Sequence, residues 1–233
     1  MESSVNISCN VNRVRDKILS ASLRAGRSVD EVTLVAVSKY ISIEKIKDAI
    51  GAGQFVFGES YVQEICKKIE ACNSNDVRFD LIGHLQRNKV KHVVGLCTLI
   101  HSVDSKEIAS AVNLVANKLS IKQDVLIQVN ISGETSKYGA SPDVARQLCY
   151  DMLSFPNLSL LGLMCIGQSD VSEAIRQKEF SRMRELRDRI SSELCICLPE
   201  LSMGMSDDFE GAIEEGATIV RVGSAIFGER VRV

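Results

Sequence analysis

The sequence predicts an α/β protein, a single (β/α)8 TIM barrel with one extra helix at its N-terminus. Two observations carry this. Eight short runs rich in β-branched residues alternate with stretches of helical periodicity along the 233 residues, and strands separated by helices build a parallel sheet. The 45% hydrophobic content can fill one sizeable core, and eight β/α units in a chain of this length describe one closed barrel. The expected organisation is one domain over 1–233, with the extra helix at about 10–26 and the barrel at about 32–229.

The elements follow in order. Val11, Val14, Ile18 and Ala21 recur at helical spacing and mark the amphipathic first helix. Strands are expected near 32–37, 54–57, 79–82, 98–102, 124–130, 158–163, 199–203 and 218–222. Helices are expected between them near 42–51, 60–72, 86–94, 105–119, 142–153, 173–193 and 207–215, with a short one at 224–229. Start signals support several. Asp104 and Glu107 have capping-box spacing, and Ser141-Pro142 places a cap before a proline at the first helical position. Phe180, Met183, Leu186 and Ile190 form one stripe of the longest helix.

Charge and composition exclude some functions. A net charge of −2 gives no electrostatic case for nucleic acid or an anionic membrane. No apolar run approaches the length of a spanning helix. Met1-Glu2-Ser3-Ser4-Val5 lacks the regions of a secretory signal, and no arginine precedes Arg13, so the expected location is cytoplasmic. The eight cysteines are scattered without a C-x-x-C pair. They read as thiols of a reducing compartment, and no metal site is expected.

The chemistry is expected at the two ends of the chain. Val35-Ala36-Val37-Ser38-Lys39 carries a lysine out of an apolar strand to the rim of the sheet, where desolvation favours the neutral, nucleophilic amine. A solvated strand-end lysine is the plain alternative. Leu201-Ser202-Met203-Gly204-Met205-Ser206 and Ile219-Val220-Arg221-Val222-Gly223-Ser224 share one pattern: a short strand, then Gly and Ser, then a helix start. Adjacent loops of that kind can hold a phosphate, although Ser206 could simply cap a helix and Gly223 simply permit a turn.

In a barrel the loops after the last two strands neighbour the loop after the first, at the rim where phosphate sites form. A carbonyl-reactive Lys39 beside a phosphate cradle describes a pyridoxal 5′-phosphate site. Arg221, two residues before Gly223, leaves its strand on the barrel's inner face and can meet the ring nitrogen; a structural ion pair is the alternative. His84 reads as a rim acid or base, or as a loop anchor. His92 and His101 read as ordinary surface and strand residues. Lys137 and Tyr138 lie on the active rim without an assigned role.

These residues also carry a resemblance. Val35–Lys39, Phe57-Gly58-Glu59-Ser60-Tyr61-Val62-Gln63-Glu64, Leu81-Ile82-Gly83-His84-Leu85-Gln86-Arg87-Asn88-Lys89, Ser132–Gly139, Gly162-Leu163-Met164 and the C-terminal pair of loops resemble the pyridoxal phosphate homeostasis proteins. That family is similar to the N-terminal barrel of alanine racemase. The resemblance implies that Lys39 forms the Schiff base, that Ser206, Gly223 and Ser224 hold the phosphate, and that Arg221 faces the ring nitrogen. It implies that Met203 and Met205 line the pocket. Two places depart from the pattern: Ser60 stands where the family commonly has asparagine, and Arg78, Phe79 and Asp80 stand where it tends to have an aromatic and a histidine.

The expected function is to carry, buffer or deliver pyridoxal phosphate, with no residue assigned as catalytic and apo forms of pyridoxal phosphate enzymes as candidate partners. A weak amino-acid racemase is the rival, and a phosphate-binding barrel enzyme without this cofactor is a third reading. The chain has no room for the second domain that barrel-type racemases use. Monomer and weak homodimer are both left open.

Overall fold

A computed structural model describes residues 5–72, 74–168 and 171–229. Helix α1 (Ile7–Arg24) starts before the expected position 10, because the Asn6 side chain accepts the Cys9 N–H at 2.9 Å and caps it. The barrel follows as β1 (Thr33–Val37), α2 (Ile43–Gly51), β2 (Val56–Glu59), α3 (Val62–Cys72), β3 (Arg78–Leu81) and β4 (Leu99–Val103). Then come α4 (Lys106–Lys118), β5 (Gln123–Val129), α5 (Pro142–Met152), β6 (Leu158–Cys165), α6 (Glu173–Leu194), β7 (Glu200–Ser202), α7 (Phe209–Glu214), β8 (Ile219–Val222) and α8 (Ser224–Phe227). All eight strands pair in parallel with their sequence neighbours, and β8 closes on β1 with Val35 opposite Arg221.

Two expectations are made more definite. The helix expected near 86–94, after β3, is a 3-10 helix over Arg87–His92. Val90 and Val93 are buried three residues apart with polar residues between them, a spacing that one tight turn satisfies. Helix α4 is capped by Ser105, whose side chain accepts the Ile108 N–H, and not by Asp104. The Asp104 carboxylate instead lies 3.5 Å from the His84 ring nitrogen. Ser141 caps α5 as expected, with Pro142 in the first turn.

The core has two layers, as a pleated strand between helices and a barrel interior requires. The outer layer packs the helices on the sheet. It includes Phe57, Phe79, Leu163 and the α6 stripe of Phe180, Met183, Leu186 and Ile190. The inner layer is a small plug of Val35, Leu99, Leu126, Met164 and Ile219. Two residues further along their strands, alternation puts His101, Gln128 and Arg221 on the same inner face. Each of these is buried, so the interior changes from apolar to polar towards the strands' C-terminal ends.

Helix α1 covers the seam where the first and last units meet. It buries Ile7, Val11, Val14, Ile18 and Ala21 and packs on α2, α7 and α8. The Arg15 guanidinium donates to the carbonyls of Ala52 and Gly53 at the end of α2, and Arg27, just after α1, to those of Ile213 and Ala217 around the end of α7. Both arginines thereby tie the ends of neighbouring helices to α1 and the turn after it.

Candidate cofactor site at the C-terminal rim

Strand β1 delivers Lys39 to the rim, half-buried, between two residues that are pinned. On one side the Ser38 N–H donates to the Gly58 carbonyl at 3.0 Å, and its hydroxyl donates to Glu59 Oε1 at 2.6 Å. The Lys68 ammonium reaches from α3 to the Ser38 carbonyl at 2.7 Å, to Glu59 at 2.7 Å and to Glu64 at 2.8 Å. On the other side the Tyr40 N–H donates to Glu64 at 2.9 Å, and its hydroxyl meets that of Tyr61 at 2.7 Å. Tyr40 takes φ +63°, a left-handed conformation that a bulky side chain adopts only under constraint. The backbone on both sides of Lys39 is thus held by a largely buried ion network of Glu59, Glu64 and Lys68.

Burial pushes the Glu59 carboxyl above its ordinary range, although the bonds from Lys68 and Ser38 work to lower it. Burial pushes Glu64 in the same direction, but the bonds from Lys68 and the Tyr40 N–H outweigh it and hold that carboxyl low. Glu59 and Glu64 stand in the motif that carries the resemblance. Their role was not legible, because the partner that defines it, Lys68, lies on the following helix at i+4 from Glu64.

Arg221 is buried in the barrel interior, where its guanidinium donates to the Ser202 hydroxyl at 2.6 Å and to the Cys165 carbonyl at 2.8 Å. Burial lowers its proton affinity, opposed by Cys165 and Asp208. The Ser202 hydroxyl also lies 2.9 Å from His101 Nδ1, and His101 Nε2 lies 3.3 Å from Asp80. His101 was expected to be an ordinary strand residue. It is fully buried and joins β3, β4, β7 and β8 through side chains. Its inward direction follows from its two-residue offset from Leu99, the one signal the sequence held.

The two C-terminal loops meet as expected. The Ser206 hydroxyl accepts the N–H groups of Gly223 at 3.2 Å and Ala225 at 3.4 Å, at the head of α8. Ser206 is therefore not a cap of α7. Asp208 stands at that helix start, holding the Met205 N–H at 2.6 Å, with its carboxyl raised by burial. Ser224 is exposed as the first residue of α8, and Met205 is exposed on the same rim. Met203 was expected to line the pocket. It is fully buried in the outer layer, because Ser202, one residue earlier, takes the inward position.

Around the mouth, His84 stacks on Tyr138 with ring centroids 4.0 Å apart and planes at 13°. Lys137 donates to the Gly167 carbonyl at 2.8 Å and ties the loop after β5 to that after β6. His84 anchors its loop through a carboxylate and a ring, not through a backbone bond. The Gln128 amide donates to the Tyr138 carbonyl at 3.1 Å, and its own carbonyl oxygen is buried with no protein partner. Such an acceptor is met by water or by a ligand.

The donor set fits pyridoxal phosphate. The hydroxyls of Ser206 and Ser224 on two adjacent loops suit a phosphate, Arg221 could donate to a ring nitrogen, and a half-buried lysine follows the neighbouring strand. A family model described as "Alanine racemase, N-terminal domain" matches residues 10–231. A protein of Aquifex aeolicus named pyridoxal phosphate homeostasis protein is 44% identical over 220 residues, which cover 94% of this chain and 96% of that one. This chain belongs to the pyridoxal phosphate homeostasis protein family. The relative of that name in Escherichia coli K12 is 40% identical, with 97% of each chain covered.

A solved structure of the family, PipY of Synechococcus elongatus PCC7942, has pyridoxal phosphate bound. It superposes with a TM-score of 0.81 at 32% identity, covering 92% of this chain and all of that one. The barrel of this family member is also shared with an alanine racemase of Clostridium difficile, at a TM-score of 0.77. At 15% identity, with 57% of the racemase chain covered, that likeness shows the fold alone.

Proposed function

We propose that this protein binds pyridoxal 5′-phosphate through Lys39 and serves its intracellular homeostasis by carrying, buffering and delivering it. One observation carries the reading. The pinned Lys39 of β1, the inward Arg221 of the adjoining β8 and the Ser206–Gly223 junction stand on one rim, in the fold of a relative that has pyridoxal phosphate bound. The bound group would supply an aldehyde that a lysine amine attacks.

Lys39 supplies the nucleophile. The Ser38 and Tyr40 contacts fix the backbone on both sides of it, so its approach is set before any ligand arrives. Ser206, Gly223 and Ser224 hold the phosphate, with the Ser206 O–H left to donate once its oxygen has accepted the two amides. Arg221 donates to the ring nitrogen and cannot release a proton to it. The site therefore favours holding over turnover. Among the described residues no helix is long and apolar enough to cross a membrane. All eight thiols are unpaired, which suits the reducing cytoplasm.

Apo forms of pyridoxal phosphate enzymes are the proposed recipients. The loaded protein, freed of excess cofactor, should restore activity to such an apoenzyme, and the Lys39→Ala variant taken through the same steps should not. Equal restoration by both would defeat the delivery reading.

A further inference from the structure

Asp80 departs from the family pattern, and its place in the fold gives it a role. Its carboxylate lies 3.3 Å from His101 Nε2, His101 Nδ1 lies 2.9 Å from the Ser202 hydroxyl, and that hydroxyl accepts from Arg221 at 2.6 Å. All four residues are buried, His101 and Ser202 completely. The chain crosses the interior from β3 through β4 and β7 to β8.

The bond directions are fixed by what each group can do. An arginine only donates, so the Ser202 oxygen accepts and its own proton must go elsewhere. His101 Nδ1 is the acceptor within reach. The imidazole then carries its proton on Nε2, where the Asp80 carboxylate receives it. The opposite tautomer would aim two donors at the Ser202 oxygen, strand the hydroxyl proton and face a carboxylate with a lone pair. Each such orphan is costly in a dry interior. The same chain places a negative charge at one end of a buried network and the guanidinium at the other, as buried charges require.

We infer that Asp80 is a positioning residue for cofactor binding: acting through His101 and Ser202, it holds the Arg221 guanidinium in the orientation that meets the pyridine nitrogen. The role towards the cofactor is the half that rests on the pyridoxal phosphate reading; the hydrogen-bond order from Asp80 through His101 and Ser202 to Arg221, the first half, does not. Truncating Asp80 frees His101 to turn or to move its proton, so Ser202 loses its directed acceptor and Arg221 keeps only the Cys165 carbonyl as a fixed partner. Binding at the phosphate loops, which are held by separate bonds, is untouched.

Two measurements test the chain at its two ends. In ligand-free protein, long-range proton–nitrogen NMR should show His101 protonated on Nε2 in the wild type and as a mixture of tautomers in Asp80→Ala. A wild-type proton on Nδ1 overturns the assignment whatever the protein binds. The second compares pyridoxal phosphate with its 1-deaza analogue, in which a ring C–H replaces the nitrogen. Wild type should prefer the natural ring by on the order of tenfold, the worth of one charge-assisted hydrogen bond.

That preference should fall several-fold in Asp80→Ala and in Ser202→Ala, and return in Ser202→Thr, which keeps the hydroxyl. Equal weakening of both ligands would make Asp80 merely structural and overturn the positioning role. If the wild type binds neither ligand, the cofactor reading fails and the Arg221 half of the inference with it, while the tautomer result still decides the first half.

Discussion

A buried charge must be paired or must change its protonation state, and Glu59 is pulled both ways. It takes Lys68 and Ser38 as partners, yet burial still raises its carboxyl above the ordinary range. The folded state therefore binds this proton more tightly than the unfolded one. The group's contribution to stability is present below the ordinary carboxylate value and is lost as pH rises through the raised one. Replacing Lys68 with methionine leaves Glu59 uncompensated and should cost about 3–5 kcal/mol at neutral pH. The loss should shrink at acid pH, as the pH falls through the raised carboxyl value and Glu59 takes up its proton. Urea unfolding at the two pH values checks this, and an equal loss at both would contradict it.

Ser206 makes the second argument at this scale. Its hydroxyl accepts two amides and keeps one proton to give. A charge-assisted bond to phosphate is worth on the order of 1.5–3 kcal/mol. Ser206→Ala should therefore weaken pyridoxal phosphate by roughly ten- to a hundredfold and leave unphosphorylated pyridoxal nearly unchanged. Isothermal titration with both ligands decides it; parallel weakening would place the phosphate elsewhere.

At the scale of elements, close strand approach was less legible than helix amphipathicity. The stripes of α1 and α6 follow directly from residues at i, i+3, i+4 and i+7. The demand at Gly162 does not. A Cβ there would lie 1.9 Å from the Glu200 carbonyl oxygen of the next strand. The register between β5 and β6 shifts in the same region, skipping Leu161, which turns inward towards the apolar plug. Gly162→Ala must push β6 from β7 and should cost about 1–3 kcal/mol or more, seen as a lowered urea midpoint. A midpoint equal to wild type would mean that the two strands have slack. The helix expected near 86–94 could not be typed as α or 3-10 from sequence for a related reason. Two buried valines three residues apart fit both geometries, and only packing chooses between them.

For the whole molecule, the eight-unit alternation made the barrel readable, and closure then set the neighbours. Lys39 and Arg221 are remote in sequence and adjacent in the sheet only because β8 pairs with β1. The rim lysine, the paired loops and the inward arginine could be named from sequence. The networks behind them, Ser38–Glu59–Lys68–Glu64 and Asp80–His101–Ser202–Arg221, could not, since their members come from separate elements and only the fold joins them. The inward, donor-only Arg221 bears on activity as well: a pyridine nitrogen left unprotonated stabilises a carbanion weakly. The loaded protein incubated with L-alanine in deuterated water should form the D-isomer very slowly. Rapid deuterium-labelled D-alanine would contradict the carrier reading.

The central claim is that Lys39 is the residue that takes the cofactor. The direct measurement is borohydride reduction of the protein mixed with pyridoxal phosphate, followed by digestion and mass spectrometry. The account predicts one dominant modified lysine, Lys39, no such adduct in Lys39→Ala, and loss of the visible absorbance band on reduction. Modification spread over exposed lysines, or an unchanged adduct in Lys39→Ala, would contradict it.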